Sequence, residues 1–126
     1  MSTTTDDVTR HRVLPLLTVA VAEHADAVAE ALVTAALPVL EVALRTPASL
    51  EAIRRISGRS DLLVGAGTVL TPAQVDAVVR AGARFVVSPG TSRAVLERCA
   101  ELGLPAIPGA VTATEVMAAL DLGIDL

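Results

Sequence analysis

Short apolar runs alternate along the chain with longer Ala-rich stretches in which apolar residues recur at helical spacing. The first pattern predicts buried strands and the second predicts amphipathic helices. We predict strands at Val13–Val19, Pro38–Leu44, Leu62–Val64, Phe85–Ser88 and Leu104–Ile107, with a sixth that begins at Ile124. The helices between them are predicted at His24–Ala36, Ala48–Ile56, Pro72–Ala81, Ser92–Leu102 and Ala113–Leu122. Successive strands start about 20 to 25 residues apart, which is the length of one strand–helix unit.

Residues that begin and end helices support this division. Thr46 and Thr71 each precede a proline, a pair typical of a helix N-cap followed by the first helical residue. Glu115 follows Thr112 at the spacing of a capping box. A glycine follows each of several helical segments, where a left-handed residue is expected: Gly58, Gly82, Gly103 and Gly123. Strands that alternate with amphipathic helices predict a parallel sheet covered by helices.

Two architectures fit such a pattern: an open doubly wound sheet, or part of a (βα)8 barrel. No G-x-G-x-x-G or Walker A loop follows the first strand, so the strongest signal of a nucleotide site in an open sheet is missing. Barrel strands tend to carry polar residues at their carboxyl ends, where active sites collect. The predicted strands have a polar or turn-forming feature at that end: Thr18, Glu41 with Arg45, Thr68, Ser88-Pro89-Gly90 and Pro108-Gly109. We therefore predict an α/β fold of the TIM-barrel type, truncated to about five and a half βα units.

Composition and charge exclude several classes of function. Phe85 is the only aromatic residue and the net charge is -4, so the chain offers neither a stacking surface for bases nor attraction for phosphate backbones. No apolar run reaches the roughly 18 residues that a membrane helix needs. Residues 1–12 form a polar leader without the apolar segment of a signal peptide, and residues 13–126 the N-terminal part of one barrel domain. The lone Cys99 leaves no internal disulfide, which favours a reducing, cytoplasmic location. We expect no nucleic-acid or membrane partner.

The stretch LEVALRTP, residues 40–47, places a carboxylate and a guanidinium in an otherwise apolar strand. Side chains alternate across a strand, so Glu41 shares a face with Ala43 and Arg45 while Val42 and the leucines share the other. The leucine face should contact the helices, and Glu41 should then point into the barrel near its carboxyl end. A buried carboxylate is unfavourable unless it is paired or functional. Two interpretations stay open: a structural Glu41–Arg45 ion pair, or a general base beside an anion-binding arginine.

Three stretches resemble the 2-dehydro-3-deoxy-6-phosphogluconate aldolase family, whose members often also cleave 4-hydroxy-2-oxoglutarate: LPVLEVALRTP, VGAGTVLTPAQVDAVVRAGARFVVSPG and LPAIPGAVTATEVMAALDLG. The similarity runs from about Val13 to Leu126. It implies a (βα)8 barrel and a class I mechanism, in which a lysine on the sixth strand forms a Schiff base with pyruvate and no metal or other cofactor is needed. It also implies a homotrimer whose partners are small 2-oxo acids and aldehydes: pyruvate, glyceraldehyde 3-phosphate or glyoxylate.

The resemblance also implies roles for four residues. Glu41 matches the catalytic general acid/base, and Arg45 matches the arginine that helps to hold the substrate carboxylate. Thr68 in GAGT and Pro89 in SPG match residues that line the pyruvate pocket. Taken without the resemblance, Thr68 is as readily a turn or cap hydroxyl, and Pro89 is a turn residue.

Three departures from the family pattern bear on activity. Ala43 stands where family members commonly have threonine, and Thr18-Val19 stands where many have a basic residue. All ten basic residues are arginine, so the chain holds no Schiff-base lysine, and arginine stays protonated and cannot replace it. The family's F-K-F-F-P-A motif is expected directly after Leu126, with its lysine about two residues beyond that point supplying the amine that enamine chemistry requires. The 126 residues alone are therefore expected to be inactive.

The predicted function is a class I aldolase that reversibly releases pyruvate from 2-dehydro-3-deoxy-6-phosphogluconate, from 4-hydroxy-2-oxoglutarate, or from both. Two alternatives stay open. One is another phosphate-binding barrel enzyme, of the sugar-phosphate epimerase or thiamine phosphate synthase type. The other is a non-catalytic truncated product that only associates with partners.

Overall fold

The computed structural model describes residues 3–124, which form parallel strands separated by helices. The strands are β1 (Leu16–Leu17), β2 (Val39–Ala43), β3 (Leu63–Gly67), β4 (Val86–Ser88) and β5 (Ala106–Pro108). The helices are α1 (Thr5–Thr9), α2 (His24–Thr34), α3 (Ser49–Ser57), α4 (Pro72–Arg80), α5 (Arg93–Glu101) and α6 (Ala113–Asp121). Within residues 3–124, no helix has the length and hydropathy needed to cross a membrane.

The strands pair in chain order, β1-β2-β3-β4-β5, and every pair is parallel. The longest register joins β2 to β3, from Val39 opposite Leu63 to Ala43 opposite Gly67. Parallel neighbours require a crossover, and α2 to α5 supply one between each pair of strands. This arrangement confirms the predicted α/β class. Ile124 is the last described residue, so the sixth strand predicted from there lies outside the described residues.

Thr5–Thr9 form a helix, α1, that the sequence pattern did not predict. Thr4 and Asp7 form a capping box at the start of α1, and these bonds lower the pKa of the Asp7 carboxyl. Val8 is its buried residue and packs in one cluster with Val39 and Phe85. One apolar residue in a single turn has no periodicity to detect, which is why the pattern missed this helix.

The two faces of the sheet pack against different partners. Leu40 and Val42 join the large cluster beneath the helices, which includes Ile53 and Ile56 of α3. Val39 faces the other way and belongs to a second cluster with Val8 and Phe85. Partly buried residues complete this inner cluster: Leu14, Leu37, Leu63, Val87 and Ile107. The alternation within β2 thus separates a helix-covered face from an inner face.

Most of the predicted helix boundaries are confirmed. Thr71 caps α4 and Thr112 caps α6, each with a complete capping box. The backbone adopts a left-handed φ at Gly82, Gly103 and Gly123.

Two of the predicted helix caps are wrong. Gly58 ends α3 with an ordinary right-handed φ of -73°. Thr46 does not cap α3, which begins at Ser49 after Ala48; its hydroxyl donates instead to the Val19 carbonyl across the neighbouring connection. A tertiary hydrogen bond has displaced the local cap.

Candidate active site

The carboxyl ends of β2, β3 and β4 hold the residues that the sequence singled out. Glu41 lies within β2, on the face opposite Leu40 and Val42. Arg45, Thr68 and Pro89 lie in the connections directly after β2, β3 and β4. Because the three strands are parallel, these connections leave the sheet at the same edge.

Glu41 is a buried carboxylate on the inner face. The residue is 6% exposed, and its Oε2 atom has no hydrogen-bond partner among the described residues. The carboxylate lies against the backbone of Gly67, where an ideal Cβ would be 3.0 Å from Cδ and from Oε2. Burial raises the pKa of the Glu41 carboxyl, and the charge of Arg45 opposes part of that rise. Such a group holds a proton more readily than an ordinary glutamate does, as a general acid/base requires.

Arg45 lies close enough to influence Glu41 without pairing with it. Its side chain is exposed, and the ion pairs within residues 3–124 include none between Arg45 and Glu41. The structural ion pair that was one interpretation of these two residues is therefore not present in the described part of the chain. Within residues 3–124, the Arg45 guanidinium therefore forms no ion pair.

Hydrogen bonds of two hydroxyls, Ser49 and Thr46, fix the connection that carries Arg45. Ser49 is 1% exposed and donates from Oγ to the carbonyl of Ala43, at 2.7 Å. The backbone N–H of Thr46 donates to the same Ser49 oxygen, while the Thr46 hydroxyl reaches the Val19 carbonyl. The residue after Arg45 is thus tied both to the start of α3 and to the connection after β1. No sequence signal pointed to Ser49, which bonds chiefly to backbone atoms, the Ala43 carbonyl and the Thr46 N–H.

Thr68 has an unusual backbone conformation. Its φ is 59°, in the left-handed region that β-branched residues rarely adopt. Within residues 3–124 its half-buried side chain makes no hydrogen bond, so it is neither a cap nor a turn hydroxyl there. Strain of this kind costs about 1–3 kcal/mol and collects at functional sites. The conformation comes directly after Gly67, whose carbonyl accepts from the Leu44 N–H.

Pro89 belongs to a tightly built pair of connections. The Ser88 hydroxyl donates to the Gly90 carbonyl, at 2.8 Å, and the Gly109 N–H donates to the Ser88 carbonyl, also at 2.8 Å. A side chain at Gly109 would collide with the Pro89 carbonyl, since an ideal Cβ would lie 2.2 Å from its oxygen. The exposed ring of Pro89 lines a cavity of about 360 Å³ together with Leu70 and other residues of these connections.

The predicted site residues are not all gathered around that cavity. Pro89 lines it, but Glu41, Arg45 and Thr68 do not. Among residues 3–124, no group of three or more His, Cys, Asp or Glu side chains is arranged to hold a metal ion.

Comparison with known proteins places this arrangement in a family. Residues 5–126 match the family model for KDPG and KHG aldolase, the aldolases of 2-dehydro-3-deoxy-6-phosphogluconate and 4-hydroxy-2-oxoglutarate. This chain belongs to that family. It is 43% identical to the KHG/KDPG aldolase of Escherichia coli K12 over 113 residues, which is 89% of this chain and 53% of the relative. It is 44% identical to the 2-dehydro-3-deoxy-phosphogluconate aldolase of Treponema pallidum over 118 residues, 93% of this chain and 56% of the relative.

Solved aldolase structures superimpose on the described sheet and helices. The Zymomonas mobilis ZM4 enzyme with 3-phosphoglycerate matches with a TM-score of 0.88 and 38% identity, over 97% of this chain and 60% of that one. The Legionella pneumophila KDPG aldolase, with pyruvate captured at low pH as a covalent carbinolamine, matches with a TM-score of 0.83 and 42% identity, over 88% and 54%. These likenesses confirm the TIM-barrel type of fold. The chain spans about half the length of the curated relatives it matches.

The family pattern draws attention to one residue that the sequence did not single out. Gly67, within the GAGT motif, lies directly against the Glu41 carboxylate. A signal for it was present in the chain: Gly65 and Gly67 are alternate residues and so share one face of β3. A strand with two glycines on its inner face leaves room there for side chains from its neighbours.

Replacing Glu41 with glutamine is expected to stabilise this aldolase chain above pH 4.5, the ordinary glutamate pKa. The folded pKa is raised, so above that pH the folded chain keeps a proton that the unfolded chain has released, and stability falls as pH rises through this range. Glutamine is neutral at every pH in this range, so the variant does not lose stability in this way. Melting temperatures of both proteins from pH 4.5 to neutrality check the prediction, because all other titrations are common to the pair. A constant difference across that range would contradict it.

Proposed function

We propose that this chain forms the N-terminal part of a class I aldolase that reversibly releases pyruvate from KDPG, KHG or both. The Schiff-base lysine then lies outside the 126 residues. The observation that supports this proposal is Glu41: a carboxylate with a raised pKa, buried on the inner face and with one oxygen left unpaired by the described residues. Burying a charged group in that position is unfavourable for folding, and carboxyls with shifted pKa values of this kind cluster at functional sites.

Glu41 is the proposed proton carrier. In a class I aldolase, a lysine amine adds to the keto carbon and the carbinolamine loses water to give a protonated imine. A base then takes the proton of the 4-hydroxyl group, the bond between C3 and C4 breaks, and its electron pair passes into the enamine. The same group, now an acid, can return a proton to C3. Proton exchange of this kind is favoured by a carboxyl whose pKa lies nearer the working pH.

Arg45, Thr68 and Pro89 are the proposed substrate contacts. The exposed guanidinium of Arg45 can bind the carboxylate of pyruvate, and it has no described ion-pair partner to release first. The hydroxyl of Thr68 is unbonded within the described residues, and the residue directly follows Gly67 at the end of β3. Pro89 supplies an apolar wall on the connection after β4. Ala43 offers no hydroxyl of its own to the substrate.

The 126-residue chain is expected to form no side-chain adduct with pyruvate under borohydride. Reduction traps an imine only where a neutral amine has added, and the chain has ten arginines and no lysine. Mass spectrometry of proteolytic peptides checks this result and separates any labelling of the N-terminal amine. An adduct on an internal peptide would contradict the requirement for an external lysine.

A joined protein tests the function itself. The chain is fused to the part of the E. coli relative that lies beyond the 113 matched residues, which restores a full-length barrel. We expect pyruvate release from KDPG or KHG, together with a borohydride adduct on a lysine of the fused part. A folded fusion that cleaves neither substrate would exclude the aldolase function and favour a chain that only associates with partners.

We also propose that the complete protein is a cytoplasmic homotrimer. A designed cage, built by fusing symmetric oligomeric domains, contains a chain 34% identical to this one with a TM-score of 0.82. For the cytoplasmic location, the supporting residue is Cys99. It is buried, and burial raises the pKa of its thiol to about 11, so the thiol is a poor nucleophile. Sedimentation of the joined protein tests the trimer, and fractionation of the source cells tests the location.

A further inference from the structure

The inward positions of β3 carry little side-chain volume. Leu63 belongs to the inner cluster, and alternation places Gly65 and Gly67 on the same face. An ideal Cβ on Gly65 would lie 2.3 Å from Cε2 and Cζ of Phe85, so the aromatic ring rests directly on the strand. At Gly67 the group pressed against the strand is the carboxylate of Glu41. Each glycine therefore accommodates a side chain from a neighbouring segment, Phe85 directly before β4 and Glu41 within β2.

The register shows that Glu41 leans toward the carboxyl end of the sheet. Its Cα pairs with Gly65, whereas Ala43 pairs with Gly67. The carboxylate nevertheless lies against Gly67, two residues further along β3. Phe85, fully buried, fills the space in front of Gly65. The Glu41 side chain therefore does not lie level with its own Cα. It is directed toward the connections that follow β2 and β3.

We propose that Phe85 and Gly67 are positioning residues for Glu41. The ring closes the path toward the amino end of the sheet, and the absent side chain of Gly67 leaves the place that the carboxylate occupies. This inference rests on the proposed function, in which Glu41 transfers protons. The placement leaves Oε2 buried without a partner in the described residues, aimed to meet a proton-bearing group of the substrate.

A mutant cycle in the 126-residue chain tests the contact between the two residues. Its members are the wild type, Gly67→Val, Glu41→Ala and the double variant. Valine is suited to a strand, and its side chain would fill the volume that the carboxylate occupies. Gly67→Val alone is expected to lower Tm or prevent folding, because two groups compete for one place. In the double variant the competing carboxylate is absent, so Tm should return to that of Glu41→Ala or exceed it.

The double variant decides the outcome even if Gly67→Val alone does not fold. A double variant with a Tm as low as that of Gly67→Val would overturn the proposal. Glycine would then be needed at position 67 for a reason other than making room for Glu41. Gly58→Ala is the matched control. No atom lies within 4 Å of an ideal Cβ at Gly58, and its φ suits any residue, so its Tm should not fall.

A second measurement separates positioning from a merely structural role. In Gly67→Ala the added methyl group forces the carboxylate to move by a few tenths of an ångström. For a charged group, movement toward water is more favourable than deeper burial. The Glu41 pKa should therefore fall toward the ordinary 4.5. Carboxyl ¹³C shifts of labelled glutamate follow this titration, and loss of one signal in Glu41→Gln assigns it. The pKa should be unaltered in Gly58→Ala; no change in Gly67→Ala would overturn the proposal.

Neither measurement depends on turnover, so the two proposals can fail separately. An inactive joined protein whose chain still shows the coupling and the pKa change would exclude the aldolase function and leave the positioning role standing. An active joined protein whose chain shows neither effect would exclude the positioning role alone.

Discussion

Glu41→Gln in the joined protein is expected to lower kcat about 10²- to 10⁴-fold, the range that general acid–base catalysis contributes. Glutamine keeps the size of the side chain and its place beside Gly67, but it cannot exchange a proton. KM should change little, since Arg45 and not Glu41 is the proposed carboxylate contact. The measurement is steady-state pyruvate release, and borohydride trapping of pyruvate shows whether the lysine still reacts.

The pH profile distinguishes a proton carrier from a residue that only shapes the pocket. The raised pKa of Glu41 should set the acid limb of kcat/KM above the range of an ordinary glutamate, and Glu41→Gln should abolish that limb. Glu97→Gln makes the same chemical change on the surface of α5 and should leave both kcat and the profile unaltered. Wild-type turnover in Glu41→Gln would remove Glu41 from the mechanism.

The position of Glu41 was predictable, whereas its immediate surroundings were not. Alternation across a strand depends only on the geometry of the extended chain, so Leu40 and Val42 under the helices place Glu41 on the inner face. The caps at Thr71 and Thr112 were predictable for a similar reason, because their partners lie within one turn of helix.

Contacts between distant parts of the chain override local signals. Thr46 has the sequence of a helix cap, but its hydroxyl bonds to Val19 on another connection. Gly58 has the position of a left-handed cap but keeps an ordinary φ. The positive φ of Thr68 could not be predicted, because β-branched residues disfavour it and only the surrounding fold can impose it. The interpretation of Glu41 and Arg45 as an ion pair failed for another reason. Sequence spacing does not fix the direction in which each side chain points.

Phe85→Ala is expected to destabilise the chain by about 3–5 kcal/mol, the usual range for deleting a buried aromatic ring. A domain has only about 5–15 kcal/mol of net stability, so this single change would remove a large part of it. Phe85 is fully buried, and it joins Val8 of α1 to Val39 of β2 on the inner face. Val111→Ala is the control, since Val111 is 93% exposed and its loss should change stability by no more than about 0.5 kcal/mol. Urea unfolding monitored by circular dichroism measures both.

The bare strand beneath the ring explains why this loss should exceed that of an ordinary core residue. Gly65 contributes no side chain to fill the space that Phe85 leaves, and an unfilled cavity adds to the lost burial. Gly65→Ala should also be strongly destabilising in the wild type, because its Cβ would lie 2.3 Å from the ring. In the Phe85→Ala background the same methyl group should be tolerated or should partly restore stability. If Gly65→Ala destabilised both backgrounds equally, glycine would be required at this position by the strand itself and not to make room for the Phe85 ring.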